Sequence, residues 1–283
     1  MFRQDLLKNK TVLVTGGGTG LGAAMATRFA ELGANLVICG RRPEVLEKAA
    51  ELMRAYGTQV HTRVCNVREP EAVEALIEDV WHAYAPDVLV NNAAATFIAE
   101  TSTLSHRAVD TILGTTLHGA LYCTLEMGKR WIEAGRPGVV LSILSTSTIT
   151  GRAFTVPSAV AKSGLLAMTK SLAVEWGPKN IRTVAIAPGP FPTAGATRQL
   201  NPAERGGAAS GAPRNPLGRV GRVDELADLA SYLISDRSAY INGEMVVIDG
   251  GEHLRTSGVE DLLRWTPEQW GQLRASRAPA KNA

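Results

Sequence analysis

Cysteine is scarce in this sequence: Cys39, Cys65 and Cys123 are the only 3 in 283 residues. The number is odd, each lies in an apolar segment, and the spacing fits no metal-binding pattern. That argues against a disulfide scaffold and for a reducing compartment. An excess of one charge is lacking too. Lys and Arg total 30 against 27 Asp and Glu, a net charge of +3 with no basic block, which removes the case for nucleic acid. A mildly basic surface still suits an anionic small molecule. No apolar run reaches the length of a bilayer span, and the opening MFRQDLLKNK has no apolar signal core. The expectation is a soluble cytoplasmic protein with no membrane partner.

What is present is 45% hydrophobic content, enough to bury a full core as one α/β domain. Short β-rich runs at 11–15, 35–39, 60–65, 88–90, 139–143, 182–187 and 245–248 alternate with helical patterns at 21–32, 44–55, 71–84, 105–133, 158–176 and 223–235. Strands that are each followed by a helix, without hairpin turns, imply right-handed crossovers and a parallel sheet covered on both faces. Residues 188–217 break the rhythm with Gly, Ala and Pro. Because they follow a strand end, 190–217 read as a substrate lid within a domain spanning 1–251. Residues 252–283, with Trp265 and Trp270, read as a docked extension.

The first strand runs into Gly16-Gly17-Gly18-Thr19-Gly20-Leu21-Gly22, which opens a helix inside a βαβ unit. Glycines there permit a tight turn and let the backbone approach a pyrophosphate at the helix amino terminus. The second strand ends not in an acidic residue, which would bind a ribose 2′-hydroxyl, but in Gly40-Arg41-Arg42. Guanidinium groups suit a 2′-phosphate, so NADP(H) is expected over NAD(H). Arg41, nearer the strand end, is the preferred ligand, and Arg42 reads as solvated. The fold class expected is a Rossmann-like doubly wound parallel sheet of about seven strands with helices on both faces.

The spacing TGxxxGxG (Thr15, Gly16, Gly20, Gly22) resembles the short-chain dehydrogenase/reductase family, and four further motifs follow in that family's order. These are Asn91-Asn92-Ala93-Ala94, Ser145, Lys162, and Pro188-Gly189-Pro190 with Thr193. The likeness implies that Gly16, Thr19, Gly20, Leu21, Gly22 and Arg41 hold the dinucleotide phosphates. Asn66 and Val67 would meet the adenine, and Asn92 and Ala93 the ribose. Pro188, Gly189 and Thr193 would lie at the nicotinamide, with Lys162 on its ribose. The family's catalytic tyrosine is Ser158 here, and its helix-four asparagine is Thr116. An aliphatic hydroxyl is a far weaker acid than a phenol, so simple ketone chemistry is disfavoured.

One branch has the same serine. The segments GGGTGLG, Asn91–Ala94 with Phe97, FxVPSAxAK, PGPxxTxGA and DGGExLxxSG…W are similar to 2,4-dienoyl-CoA reductases of the mitochondrial type and their bacterial relatives. That resemblance implies NADPH-dependent reduction of 2,4-dienoyl-CoA to 3-enoyl-CoA, charge moving onto the thioester oxygen, where hydrogen-bond donors are worth most. It implies a catalytic pair of Ser158 and Lys162, an acyl tunnel shaped by Phe97 and Phe191, and CoA phosphates met by Arg198 or Arg214. Two departures stand out. Ser147 occupies the branch's tyrosine position, and His118 its asparagine position, where a histidine suits proton relay near neutral pH. Two other readings stay open: a catalytically silent NADP(H)-binding protein, and a family oxidoreductase for another carbonyl or enone that recruits Ser145, Ser147 or His118. The apolar helix with Leu165, Leu166, Met168 and Leu172 suits either an interface of the family's homotetramer or the subunit's own core.

Overall fold

A computed structural model describes residues 3–193, 215–255 and 257–277. The β-branched runs form strands β1 (Thr11–Thr15), β2 (Asn35–Gly40), β3 (Val60–Val64), β4 (Val88–Asn91), β5 (Gly138–Ile143), β6 (Ile181–Pro188) and β7 (Met245–Ile248). They make one parallel sheet in the order β3-β2-β1-β4-β5-β6-β7. The order reverses between β1 and β4, which opens a crevice at the carboxyl ends of the strands.

The helices are α1 (Gly20–Glu31), α2 (Pro43–Arg54), α3 (Pro70–Tyr84), α4 (His106–Leu113), α5 (Gly119–Glu133), α6 (Ser147–Thr150), α7 (Val156–Trp176), α8 (Val223–Ile234) and α9 (Pro267–Ser276). Strand residues buried on both faces form two large cores, with a smaller cluster of Ala120, Leu144, Leu165, Ala185 and Ala187 beside them. On one face Val12, Val14, Leu36 and Ile38 meet Met25 and Phe29 of α1, Leu46 of α2 and Leu226 and Leu233 of α8. On the other, Leu13, Val37 and Leu89 meet Ile77 of α3, Met127 and Trp131 of α5 and Leu172 and Trp176 of α7. Prolines at the first turns of α2, α3 and α7 supply a helical φ where no amide partner is needed.

The long helix expected over 105–133 is two helices. Between α4 and α5, Gly114–His118 widen into a single π turn. Thr116, fully buried, turns its hydroxyl out of the helix to bond both the amide and the carbonyl of Ala95, at 3.0 and 3.2 Å. A side chain that grips a neighbouring loop at this depth displaces the regular backbone ladder, and such bulges cluster at functional sites. Helix α6 is one turn that periodicity does not reveal. In the tail, no described residue of 252–277 is buried, and Trp265 stacks at a tilt on Trp270, centroids 5.1 Å apart.

Candidate active site

The loop from β1 to α1 builds the floor of the crevice. Gly16 and Gly20 hold left-handed backbones, φ 66° and 57°, that a side chain would strain. A Cβ on Gly22 would lie 2.4 Å from both the Gly16 carbonyl and Asn92 Nδ2, so the first turn of α1 packs directly on the glycine turn. The Asn92 amide nitrogen donates to the Thr15 and Gly16 carbonyls, at 3.0 and 3.3 Å. Thr15 Oγ1 receives the backbone amides of Asn92 and Ala93. The Asn92 amide nitrogen thus braces the turn.

A cleft of about 260 Å³ lies above this floor. Of the expected cofactor residues, Gly16, Thr19, Arg41, Asn66, Val67, Asn92 and Ala93 line it. Gly20, Leu21 and Gly22 form the helix start below it, and Thr193 comes within 3.6 Å of a Cβ placed on Gly20. Gly189 packs against Asp249, a Cβ there falling 2.5 Å from Asp249 Cβ. Arg42 is not merely solvated: it lines the cleft beside Arg41. Val45, Leu46 and Thr115 also line it. Val45 and Leu46 follow the arginines directly and are legible in principle. Thr115 arrives through the π turn, which leaves no mark in the sequence.

Among the described residues, no carboxylate lines this cleft. Arg41 and Arg42 are exposed and, among the described residues, form no ion pair. Asn66, which spans Glu69 by its amide nitrogen and receives the Arg68 amide, brings no negative charge either. A glycine floor that admits a close backbone approach, a helix amino terminus and two uncompensated guanidiniums fit a dinucleotide with an added phosphate.

The second half of the site gathers at the carboxyl end of β5. Lys162, in the second turn of α7, is 6% exposed, and its ammonium donates to the Ile143 carbonyl. Burial pushes its pKa down from 10.5 to about 8, with no carboxylate among the described residues opposing the shift. Ser158 stands one turn earlier on the same helical face, half-buried. Two residues past Ile143, Ser145 accepts the Ser147 amide at 3.3 Å, which starts α6, and α6 packs on α7. Ser147 is itself buried. Lys162 and the three serines therefore share one corner, although Ser145 spends part of its capacity on the backbone.

Other expected residues lie elsewhere. His118 ends the π turn, is exposed, makes no hydrogen bond among the described residues, and stands 6.1 Å from the Tyr122 ring. Phe191 is 7% exposed and packs against Gly221, whose missing Cβ makes the room, and it also lines a small cavity with Pro190, Leu217 and Ile248. Leu165 and Leu172 are buried in the subunit's own core. Arg198, Arg214 and most of the expected lid lie outside the described residues. All three cysteines are free and buried, their thiol pKa values pushed up by burial. Among the described residues no helix is long and apolar enough to cross a membrane, and no cluster of His, Cys, Asp or Glu is placed to hold a metal.

Residues 16–253 match the family described as enoyl-(acyl carrier protein) reductase. A solved short-chain dehydrogenase from Bacillus anthracis superposes with a TM-score of 0.78 at 40% identity, covering 88% of this chain and 98% of that one. The chain belongs to the short-chain dehydrogenase/reductase family. Among relatives of this oxidoreductase is a Caenorhabditis elegans protein named "probable 2,4-dienoyl-CoA reductase 3, (3E)-enoyl-CoA-producing", 40% identical over 280 residues, 96% of this chain and 91% of that protein. A Bacillus subtilis protein named as a probable 2,4-dienoyl-CoA reductase, (2E)-enoyl-CoA-producing, is 37% identical over 250 residues, 88% of this chain and 98% of its own length. An Agrobacterium tumefaciens structure with bound NADP, of the 2-deoxy-D-gluconate 3-dehydrogenase type, has a TM-score of 0.81 at 30% identity and covers 90% of this chain.

The packing at Gly22 makes a direct prediction. Gly22→Ala drives a methyl into a backbone carbonyl that cannot retreat without moving β1. Dinucleotide affinity is expected to fall at least tenfold, with about 1–3 kcal/mol of stability lost. A dinucleotide titration and a thermal melt check both parts.

Proposed function

We propose that this oxidoreductase is an NADP(H)-dependent reductase of conjugated acyl-CoA thioesters, converting 2,4-dienoyl-CoA to 3-enoyl-CoA. The observation that carries the reading is the corner at the end of β5: a buried lysine among serine hydroxyls, with no phenol at either position where a tyrosine would stand. Names borne by relatives at 37–40% identity support the substrate class. The cleft, which among the described residues carries Arg41 and Arg42 and no carboxylate, supports the phosphate-bearing dinucleotide.

When bound, the dinucleotide supplies a hydride. Everything else falls to the chain. Backbone amides at the start of α1, with Gly16, Thr19, Gly20 and Gly22, hold the pyrophosphate. Arg41, joined by Arg42, takes the 2′-phosphate as a charge-assisted pair. Asn66 Oδ1 accepts from the adenine amine, and Ala93 borders the ribose that Lys162 orients. Reduction of a conjugated thioester puts negative charge on the thioester oxygen, which Ser158 and a neighbouring serine meet as donors while Lys162 lends positive charge. The α-carbon then takes its proton from water, so no phenol is required. In the same reading the protein works as a cytoplasmic homotetramer.

NADPH oxidation with 2,4-hexadienoyl-CoA, compared with a simple ketone, tests the proposal. Turnover of the thioester with little on the ketone is the expected result. Saturable NADPH binding without turnover of either would favour a silent dinucleotide-binding protein instead.

A further inference from the structure

Phe154 has a backbone that suits few residues and a side chain the fold does not use. Its φ is 63°, the only left-handed value at a bulky residue among those described; the others with side chains are Asn9, Asn180 and Ala85. Asparagine reaches this region with help from its amide, and Ala85 ends α3. Phenylalanine has no such compensation. The residue is 56% exposed and enters none of the hydrophobic cores. What the fold does take from this position is the carbonyl, which accepts the Ala99 amide at 3.0 Å. Any residue has a carbonyl, and glycine or asparagine would supply it with less strain. Strain that outlasts a cheaper alternative gathers at functional sites.

The position of that hydrogen bond says which site. The loop 151–155 joins α6, which begins at Ser147, to α7, which carries Ser158 and Lys162. Ala99 belongs to the loop leaving β4, the same loop that Thr116 grips at Ala95 and that holds Phe97 and Ile98 half-buried. The bond therefore ties together the two loops that rise from the carboxyl ends of β4 and β5, where open α/β sheets bind ligands. It leaves an aromatic ring in solvent four residues before Ser158.

We infer that Phe154 is a specificity-determining residue whose ring forms a wall for the acyl chain of the thioester, beyond the reacting carbons. The inference rests on the acyl-thioester reading above. A flat ring on a strained, tethered loop offers apolar area at low cost in side-chain freedom, and the loop strain fixes where it stands. Contact with a chain is lengthwise, so a short acyl group gains little from the ring and a long one gains more with each buried methylene.

Wild type, Phe154→Ala and Phe154→Gly, each as the full chain with NADP, are to be compared in three measurements. These are kcat/KM for six- and twelve-carbon 2,4-dienoyl-CoA, calorimetric binding of saturated six- and twelve-carbon acyl-CoA, and Tm with solution mass. Both variants are expected to lose ~10-fold in kcat/KM and affinity for the twelve-carbon ligands, much less for the six-carbon ones, and nothing in NADPH affinity. Phe154→Gly should also keep or raise Tm, since glycine relieves the backbone. Equal losses at both chain lengths with a lower Tm would make the ring structural and overturn the inference. So would unchanged chain-length preference, or a drop in mass showing that the ring is buried between copies of the chain. If wild type turns over neither thioester, the proposed reaction fails, and the binding comparison alone decides the role of Phe154.

Discussion

Lys162→Met is expected to abolish turnover and make the protein more stable. The lysine is buried with its ammonium against the Ile143 carbonyl and, among the described residues, no carboxylate pairs with it, so the fold bears the cost of a desolvated charge. Methionine has nearly the same length and buries without that cost. Removing the cation that orients the cofactor and faces the developing oxyanion should lower kcat by ~10²–10⁴-fold. Stability should rise by ~1–3 kcal/mol at pH 7, a fraction of the linkage worth of the pKa shift being lost with the Ile143 hydrogen bond.

The pH dependence has a definite sign. The native pKa of about 8 lies below the ordinary 10.5, so between those values the unfolded chain holds the extra proton. Wild-type stability should therefore gain from this residue as pH rises from 8 to 10.5, and lose it as pH falls back through 8. The gain from methionine should be greatest below pH 8 and shrink above it. Denaturant melts of both proteins at pH 7 and pH 9.5 measure this. A methionine variant that is less stable at both would show the lysine to be a structural strut.

The second large effect lies at the other end of the crevice. Replacing Arg41 and Arg42 together by alanine should raise KM for NADPH by ~10²–10³-fold and leave KM for NADH nearly unchanged. Each charge-assisted hydrogen bond to phosphate is worth ~1.5–3 kcal/mol, and among the described residues neither guanidinium has an ion-pair partner to lose. Arg41→Asp should go further and favour NADH, since a carboxylate repels a 2′-phosphate and accepts from a 2′-hydroxyl. The wild-type preference for NADPH should narrow as salt rises, because both arginines are exposed. Steady-state kinetics with both cofactors at two ionic strengths resolve the effect. Equal losses for the two cofactors would place the arginines away from the 2′ position.

By itself the sequence determined the parallel sheet, the placing of its strands to within a residue or two, and the glycine turn that floors the crevice. Those features are local. A β-branched run between helices, or Gly16 and Gly20 where φ must be positive, is dictated by backbone sterics that a short window contains. The order of the motifs along the chain is enough, likewise, to single out Lys162, and the end of the second strand to single out Arg41, while the place of Arg42 in the cleft came from the fold.

Tertiary structure decided what depends on distant partners. The break at Gly114–His118 follows from Thr116 reaching a loop 21 residues away in sequence, and no period in the helix announces it. The packing of Phe191 is set by a residue distant in sequence, the missing Cβ of Gly221 making the room in which its ring is buried. Asn92 braces the glycine turn because the turn presents two carbonyls within reach of its amide nitrogen. The lowered pKa of Lys162 is also a property of the fold alone. It comes from burial of the ammonium away from water, and that burial is made by residues distant along the chain.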